Sequence, residues 1–313
     1  MTSLPRVVLV TGASSGIGEA TAVQAAERGD HLILLARGAD SLDRVGERCQ
    51  RAGAASVLCL PTDVRDDAAV RKAVEEAVAE HGRLDIVVSN AGVVAYGRLE
   101  DVPTEVFDAV LDTNLHGSVN LVRHVLPVLR AQQRGSLVFV GSLIGHITVP
   151  GMSAYVLSKW GVRGLARQVR TENHDLSGVR IAYVAPGGVD TPIYDQAANY
   201  GASAGRPPFP VTTPERVAAR VLKVADHPGW RSQIGLGNDA IRLGFTTLPW
   251  LYDILVGPLV EVMARDLTKP VVQGAGNVLT TQEEGNALRG GWPNALLGVA
   301  RNLVVVARRG VAT

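Results

Sequence analysis

Positions 7–18 read VVLVTGASSGIG, and few folds admit that order of residues. Residues 7–10 form a short apolar run of mostly β-branched side chains, which suits a strand covered on both faces. Gly12, Gly16 and Gly18 follow at Gly-x3-Gly-x-Gly spacing. Glycines tolerate positive φ and let a ligand approach the backbone without meeting a Cβ. A helix starting near Gly16 points free N–H groups and the positive end of its dipole at that ligand. The motif predicts a bound anion, most simply a dinucleotide pyrophosphate, held around Gly12, Ser14, Ser15, Gly16, Ile17 and Gly18. Taken alone, the spacing also fits an ordinary strand-to-helix turn.

Further along, apolar runs alternate with helical stretches. Strands are expected over 31–35, 56–60, 84–89, 136–141, 179–184 and 231–235. Helices are expected over 19–28, 41–52, 66–80, 103–130, 153–175 and 214–225, with Pro127 bending or ending the longest. The strands have no polar face. That pattern calls for an α/β architecture, a doubly wound parallel sheet with helices on both faces. Ligands of such sheets lie outside the carboxyl ends of the strands, so the residues there carry the argument.

Past the second strand stand Ala36 and Arg37, with no acid before Asp40. An NAD site places a carboxylate on the ribose at this point, whereas an arginine can fork onto a ribose 2′-phosphate. Arg37 therefore favours NADP(H) over NAD(H); the alternative is a solvated surface arginine. Lysines are scarce, and one of them, Lys159, follows Tyr155 by four residues. At that spacing the two side chains share a helix face. An ammonium beside a phenol favours the phenolate and should lower the Tyr155 pKa. A phenol so tuned can give a proton to a carbonyl oxygen or take one from an alcohol. Such pairs also arise from surface packing. Ser142 closes the fifth expected strand, and Asn114 lies in the long helix after the fourth.

Together these residues resemble the short-chain dehydrogenase/reductase family. The shared motifs are Thr11-Gly12-x3-Gly16-x-Gly18, Asp63-Val64, Asn90-Ala91-Gly92, Asn114, Ser142, Tyr155-x3-Lys159, and Pro186-Gly187 followed by Val189 and Thr191. They occur in the family's order over about residues 5 to 240. The resemblance implies a Rossmann-type fold and hydride transfer between a nicotinamide and a carbonyl or alcohol carbon. It implies that Tyr155 is the general acid/base, Lys159 tunes it and holds the nicotinamide ribose, and Ser142 positions the reacting oxygen. It implies that Asn114 holds a water in a proton relay to Lys159. Asp63 and Val64 would lie by the adenine, and Asn90, Ala91 and Gly92 by the cofactor ribose. Pro186, Gly187, Val189 and Thr191 would hold the carboxamide. Arg37 matches the NADP-preferring branch, although Ser15 stands at that branch's other basic position. The family's dimers or tetramers are expected here too.

Residues 1–240 are read as the dinucleotide-binding domain and 241–313 as a C-terminal extension. Residues 187–213, rich in Gly, Ala and Pro, resemble the family's substrate lid, with Tyr194, Tyr200 and Phe209 either lining the pocket or packing. The extension is apolar but interrupted by Asp253, Pro258 and Glu261. It packs on the core or a second subunit, rims an apolar substrate entrance, or touches a membrane surface. Its character points to a lipophilic carbonyl or alcohol substrate. A catalytically idle NADP(H)-binding sensor or scaffold is the alternative.

Composition narrows this further. The chain of 313 residues is 46% hydrophobic with net charge +1, so it is globular and offers no field for nucleic acid. Cys49 and Cys59 lack metal-ligand partners at useful spacing and read as reduced thiols, which fits a cytoplasmic setting. No uninterrupted apolar run is long enough to span a bilayer, and the N-terminal strand is too short for a signal peptide.

Overall fold

The fold is that of a computed structural model, which describes residues 4–227, 233–234, 236–269, 271–292 and 295–310. Its centre is a parallel sheet of β1 (Val7–Thr11), β2 (His31–Ala36), β3 (Ser56–Pro61), β4 (Ile86–Ser89), β5 (Gly135–Val140), β6 (Val179–Pro186) and β7 (Gln233–Ile234). The order across the sheet is β7-β6-β5-β4-β1-β2-β3. The chain thus winds outward from β1 in one direction, then returns to β4 and winds in the other. That reversal opens a crevice at the carboxyl ends of β1 and β4. The expected strand over 231–235 is described only at 233–234, where it pairs with Ala185 and Pro186; its other residues lie outside the described residues.

One face of the sheet is covered by α1 (Gly16–Ala26), α2 (Ala39–Ala52) and α7 (Pro214–Asp226). Val8, Val10, Leu32 and Leu34 face them and are fully buried. The other face is covered by α3 (Asp67–His81), α5 (Gly117–Gln132) and α6 (Ser153–Glu172), against Leu9, Ile33, Leu35 and Phe139. Alternate residues of β1 and β2 serve opposite cores, which explains why neither strand has a polar face.

The long helix expected over 103–130 is not one α-helix. It comprises α4 (Thr104–Leu111), a π-helical turn (Asp112–His116) and α5, and Pro127 lies inside α5 without ending it. The π turn holds Asn114, whose main-chain oxygen accepts from the Ser118 hydroxyl at 2.7 Å. Such bulges recur where a helix must aim a side chain at a functional site.

The C-terminal part is mainly helical: α8 (Leu236–Thr247), α9 (Pro249–Ala264) and α10 (Ala295–Gly310). Residues 274–292 run between α9 and α10 as a series of turns. The segment 187–213 is stitched down at several points. Ala198–Asn199 pairs with Ala95–Tyr96, Val211–Thr212 with Gly188–Val189, and Ala204–Gly205 with Arg265–Asp266 beyond α9.

Candidate active site

The glycine turn after β1 has the predicted shape. Gly12 and Gly16 adopt φ of +63° and +52°, in the region that favours glycine. A Cβ on Gly12 would lie 2.8 Å from Ala91 Cα, and one on Gly18 would lie 2.0 Å from the Gly12 carbonyl oxygen. Asn90 locks the turn from the side: its Nδ2 donates to the carbonyls of Thr11 and Gly12, and its own N–H donates to Thr11 Oγ1. Ser15 precedes α1 without capping it through its side chain. Gly12, Ser14, Ser15, Gly16 and Ile17 line a deep groove that continues past Arg37, Asp63, Val64, Asn90, Ala91 and Gly92. The same groove reaches Pro186, Gly187, Val189 and Thr191. Gly18 is structural rather than lining, since it packs on Gly12.

At the far end of the groove α6 brings Tyr155 and Lys159 against Ser142, which follows β5. The Ser142 hydroxyl lies close enough to the Tyr155 phenol to favour its ionised form. Ser142 is itself held in place: its Oγ accepts from Ile144 N at 3.2 Å, and its backbone exchanges hydrogen bonds with the Tyr183 hydroxyl. The Tyr183 ring fits there because positions 141 and 145 are glycines; a Cβ at either would collide with its hydroxyl. Lys159 Nζ donates to the Val140 carbonyl at 3.2 Å and lies 5.6 Å from the centre of the Tyr155 ring. Asn114 is buried behind Gly92. Its side chain bonds the Val93 N–H and carbonyl and the Ser158 hydroxyl. A Cβ on Gly92 would approach both Asn114 Oδ1, at 3.2 Å, and Lys159 Nζ, at 3.6 Å. Glycine at 92 therefore keeps the wall beside the ammonium open.

The profile of the short chain dehydrogenase family matches residues 6–200. The chain belongs to that family. An uncharacterized oxidoreductase of Listeria innocua is 31% identical over 255 residues, covering 80% of this chain and all of the relative. Human dehydrogenase/reductase SDR family member 7 is 36% identical over 61% of this chain and 57% of its own length. Among solved structures, a short chain dehydrogenase from Mycobacterium paratuberculosis bound to NAD superposes with a TM-score of 0.63 at 30% identity, covering 70% of this chain and 90% of that one. A short-chain dehydrogenase from Streptomyces avermitilis gives 0.66 at 26% identity, covering 80% and 95%. The protein is thus an oxidoreductase, and the cradle described above fits the nicotinamide dinucleotide its family uses.

Some expectations for this dehydrogenase change in the structure. Lys159 was expected to lower the Tyr155 pKa. Burial dominates instead: it pushes the phenol up to about 12, with the Ser142 hydroxyl pulling the other way, and it lowers the Lys159 ammonium to about 8. A buried charge loses more hydration than an ammonium bonded to a backbone carbonyl returns to its neighbour. Burial also raises the Asp63 carboxyl, but the Arg65 guanidinium that grips it more than compensates and leaves it below the usual range. Asp63 therefore borders the groove with its carboxylate already paired. The Arg37 guanidinium donates to the carbonyls of Asn277 at 2.6 Å and Val278 at 3.4 Å, residues 240 and 241 positions away.

Beyond Tyr155 the cavity turns apolar, and its total volume is about 570 Å³. Val94, Ile147, Met152 and Ile193 meet Leu251, Val256, Val260 and Met263 of α9 there. Of the expected lid residues Tyr194 and Phe209 line the cavity, whereas Tyr200 packs beside Val102 and Phe107. The C-terminal part therefore supplies one wall of this cavity. No helix among the described residues is long and apolar enough to cross a membrane. The strap residues Asn277, Thr281, Gln282 and Asn286 also line the groove. Nothing in their local sequence marks them, since only the long-range fold brings them to the glycine turn.

The lysine shift has a kinetic consequence. Were Tyr155 the proton donor, loss of the Lys159 proton would remove a positive charge 5.6 Å from the ring on which the tyrosinate forms. The kcat/KM for carbonyl reduction should therefore fall as pH rises through about 8, while Tyr155 stays protonated to about 12. Lys159→Met should turn over more slowly and lack that limb. A limb that persists in the variant would assign it to another group.

Proposed function

We propose that the protein interconverts a carbonyl and an alcohol on a lipophilic small molecule, with Tyr155 as general acid/base. The observation that carries this reading is that Ser142, Tyr155 and Lys159 line one cavity together with the glycine cradle, with the Ser142 hydroxyl acting on the Tyr155 phenol. In reduction, Ser142 holds the substrate oxygen and Tyr155 donates a proton to it as the oxygen gains charge. Lys159 stabilises the resulting tyrosinate, and Asn114 keeps the wall beside the ammonium in register. Apolar side chains of α9 keep water from the reacting carbon. The dinucleotide, when bound, supplies or accepts the hydride.

NADP(H) is favoured by Arg37 beside the groove. A second reading, NAD(H), is favoured by a carboxylate from residue 283 against Gly38 and Ser41. A homodimer or homotetramer, a cytoplasmic location and peripheral contact with a membrane belong to the same proposal. Trp250 and Ile254, each 64% exposed on α9 near the mouth, support such a contact.

The test is a panel of ketones, aldehydes and secondary alcohols followed by the absorbance of NADH and NADPH. Turnover should be highest with bulky apolar carbonyls and low with small polar ones. Silence across the panel with a tightly bound dinucleotide would instead favour the idle sensor.

A further inference from the structure

The strap of residues 274–292 contributes Asn277, Thr281, Gln282 and Asn286 to the groove and takes up backbone and side-chain donors beside it. The Asn277 and Val278 carbonyls hold Arg37. The Ala287 carbonyl accepts from Gly16 N at 3.0 Å. At the other end Asp190 Oδ1 accepts from the N–H groups of Gly290 and Trp292, and Arg289 pairs with Glu215 at 2.8 Å. Between these anchors lies Glu283. Its Oε2 accepts from Ser41 N at 2.6 Å, and its Cδ and Oε1 lie 2.8 Å from where a Cβ on Gly38 would stand.

Ser41 belongs to the first turn of α2, whose N-cap is Gly38 and has no side chain to cap it. The Glu283 carboxylate is therefore an anion seated at a helix N-terminus, supplied from a distant part of the chain. This place lies just past β2 and beside Arg37, where the adenine-side ribose of a dinucleotide carries either free hydroxyls or a 2′-phosphate. Arg37, the basic group that follows β2, is already drawn toward the strap. The neighbouring cation, Arg65, is gripped by Asp63.

We infer that Glu283 sets cofactor choice: its carboxylate fills the anion position past β2, accepts ribose hydroxyls, and turns away a 2′-phosphate, so the site takes NAD(H) over NADP(H). The inference rests on the dinucleotide reading above. A free ribose brings hydroxyl donors to a carboxylate. A 2′-phosphate brings a second anion to the same helix end and must displace the first.

Binding of NADH and NADPH to the full-length protein, followed by dinucleotide fluorescence with no carbonyl present, tests this apart from catalysis. Wild type should bind NADH at least tenfold tighter than NADPH. Glu283→Gln keeps the size and an acceptor oxygen for Ser41 N, and should narrow that gap about tenfold by strengthening NADPH. Glu283→Ala should narrow it likewise, with melting temperature reporting any loosening of the strap. A wild type that prefers NADPH would overturn the inference. So would Glu283 variants whose NADPH-to-NADH ratio stays within twofold of wild type. The same holds for an Arg37→Ala variant that loses NADPH affinity while Glu283→Gln leaves it unchanged. Those outcomes leave the oxidoreductase reading standing, whereas binding of neither dinucleotide removes both.

Discussion

Tyr155→Phe is expected to bind NADH or NADPH with near wild-type affinity and to lose carbonyl reduction by about 10²–10⁴-fold, the usual contribution of a positioned general acid. The substitution removes one oxygen and leaves the ring. That ring packs with Val94, Tyr96 and Met152 and stays partly buried, so the fold has little reason to change. What is lost is the proton donor beside Ser142. The remaining rate would come from the bound geometry of the reactants. Single-turnover reduction, read alongside dinucleotide binding, separates the two contributions. A variant that keeps its turnover would remove Tyr155 from the chemistry, and with it the reaction proposed for this site.

Gly18→Ala should be among the most damaging single-methyl changes in the protein. Its Cβ would lie 2.0 Å from the Gly12 oxygen and 2.7 Å from Asn90 Nδ2, so backbone rather than a flexible side chain must yield. Overpacking of a rigid site costs about 1–3 kcal/mol, and this contact belongs at the upper end. The turn that must move is the anion cradle, so dinucleotide affinity should fall together with stability. Gly164→Ala is the matched control. It lies within α6 with nothing within 4 Å of the new Cβ, and should stabilise by about 0.5–1 kcal/mol. Chemical denaturation of both variants, with NADH titration of each, checks the pair. Equal effects from the two would mean that the close approach of Gly18 to Gly12 does not govern the turn.

The Ser142, Tyr155 and Lys159 cluster was readable along the chain because its pieces occur in the order of a known family and each sits on an element that short-range rules place. A buried strand followed by glycines, a Tyr and Lys one helical turn apart, and a serine closing a strand all follow from periodicity and turn chemistry. The long helix misled because its π turn at Asp112–His116 depends on where Asn114 must point, which helix propensity does not encode. The tyrosine pKa misled for a similar reason. Spacing revealed the neighbouring charge but not the depth of burial, and burial is the larger effect. Arg37 was seen as a site residue, yet its partners Asn277 and Val278 lie 240 and 241 positions away and carry no local signal.

By itself, the order of residues determined the doubly wound sheet, the cradle after β1 and the Ser142, Tyr155 and Lys159 constellation. Hydrophobic period and glycine stereochemistry act over a few residues, and topology then carries the strand ends to one crevice. Only the tertiary structure decided what closes that crevice. The apolar wall from α9 reaches it, and the carboxylate of Glu283 reaches Ser41 just past β2, through chain reversals whose geometry no local pattern specifies. The strap that carries Glu283 stays there through hydrogen bonds to Arg37, Ser41, Gly16 and Asp190, groups that the sequence places far away.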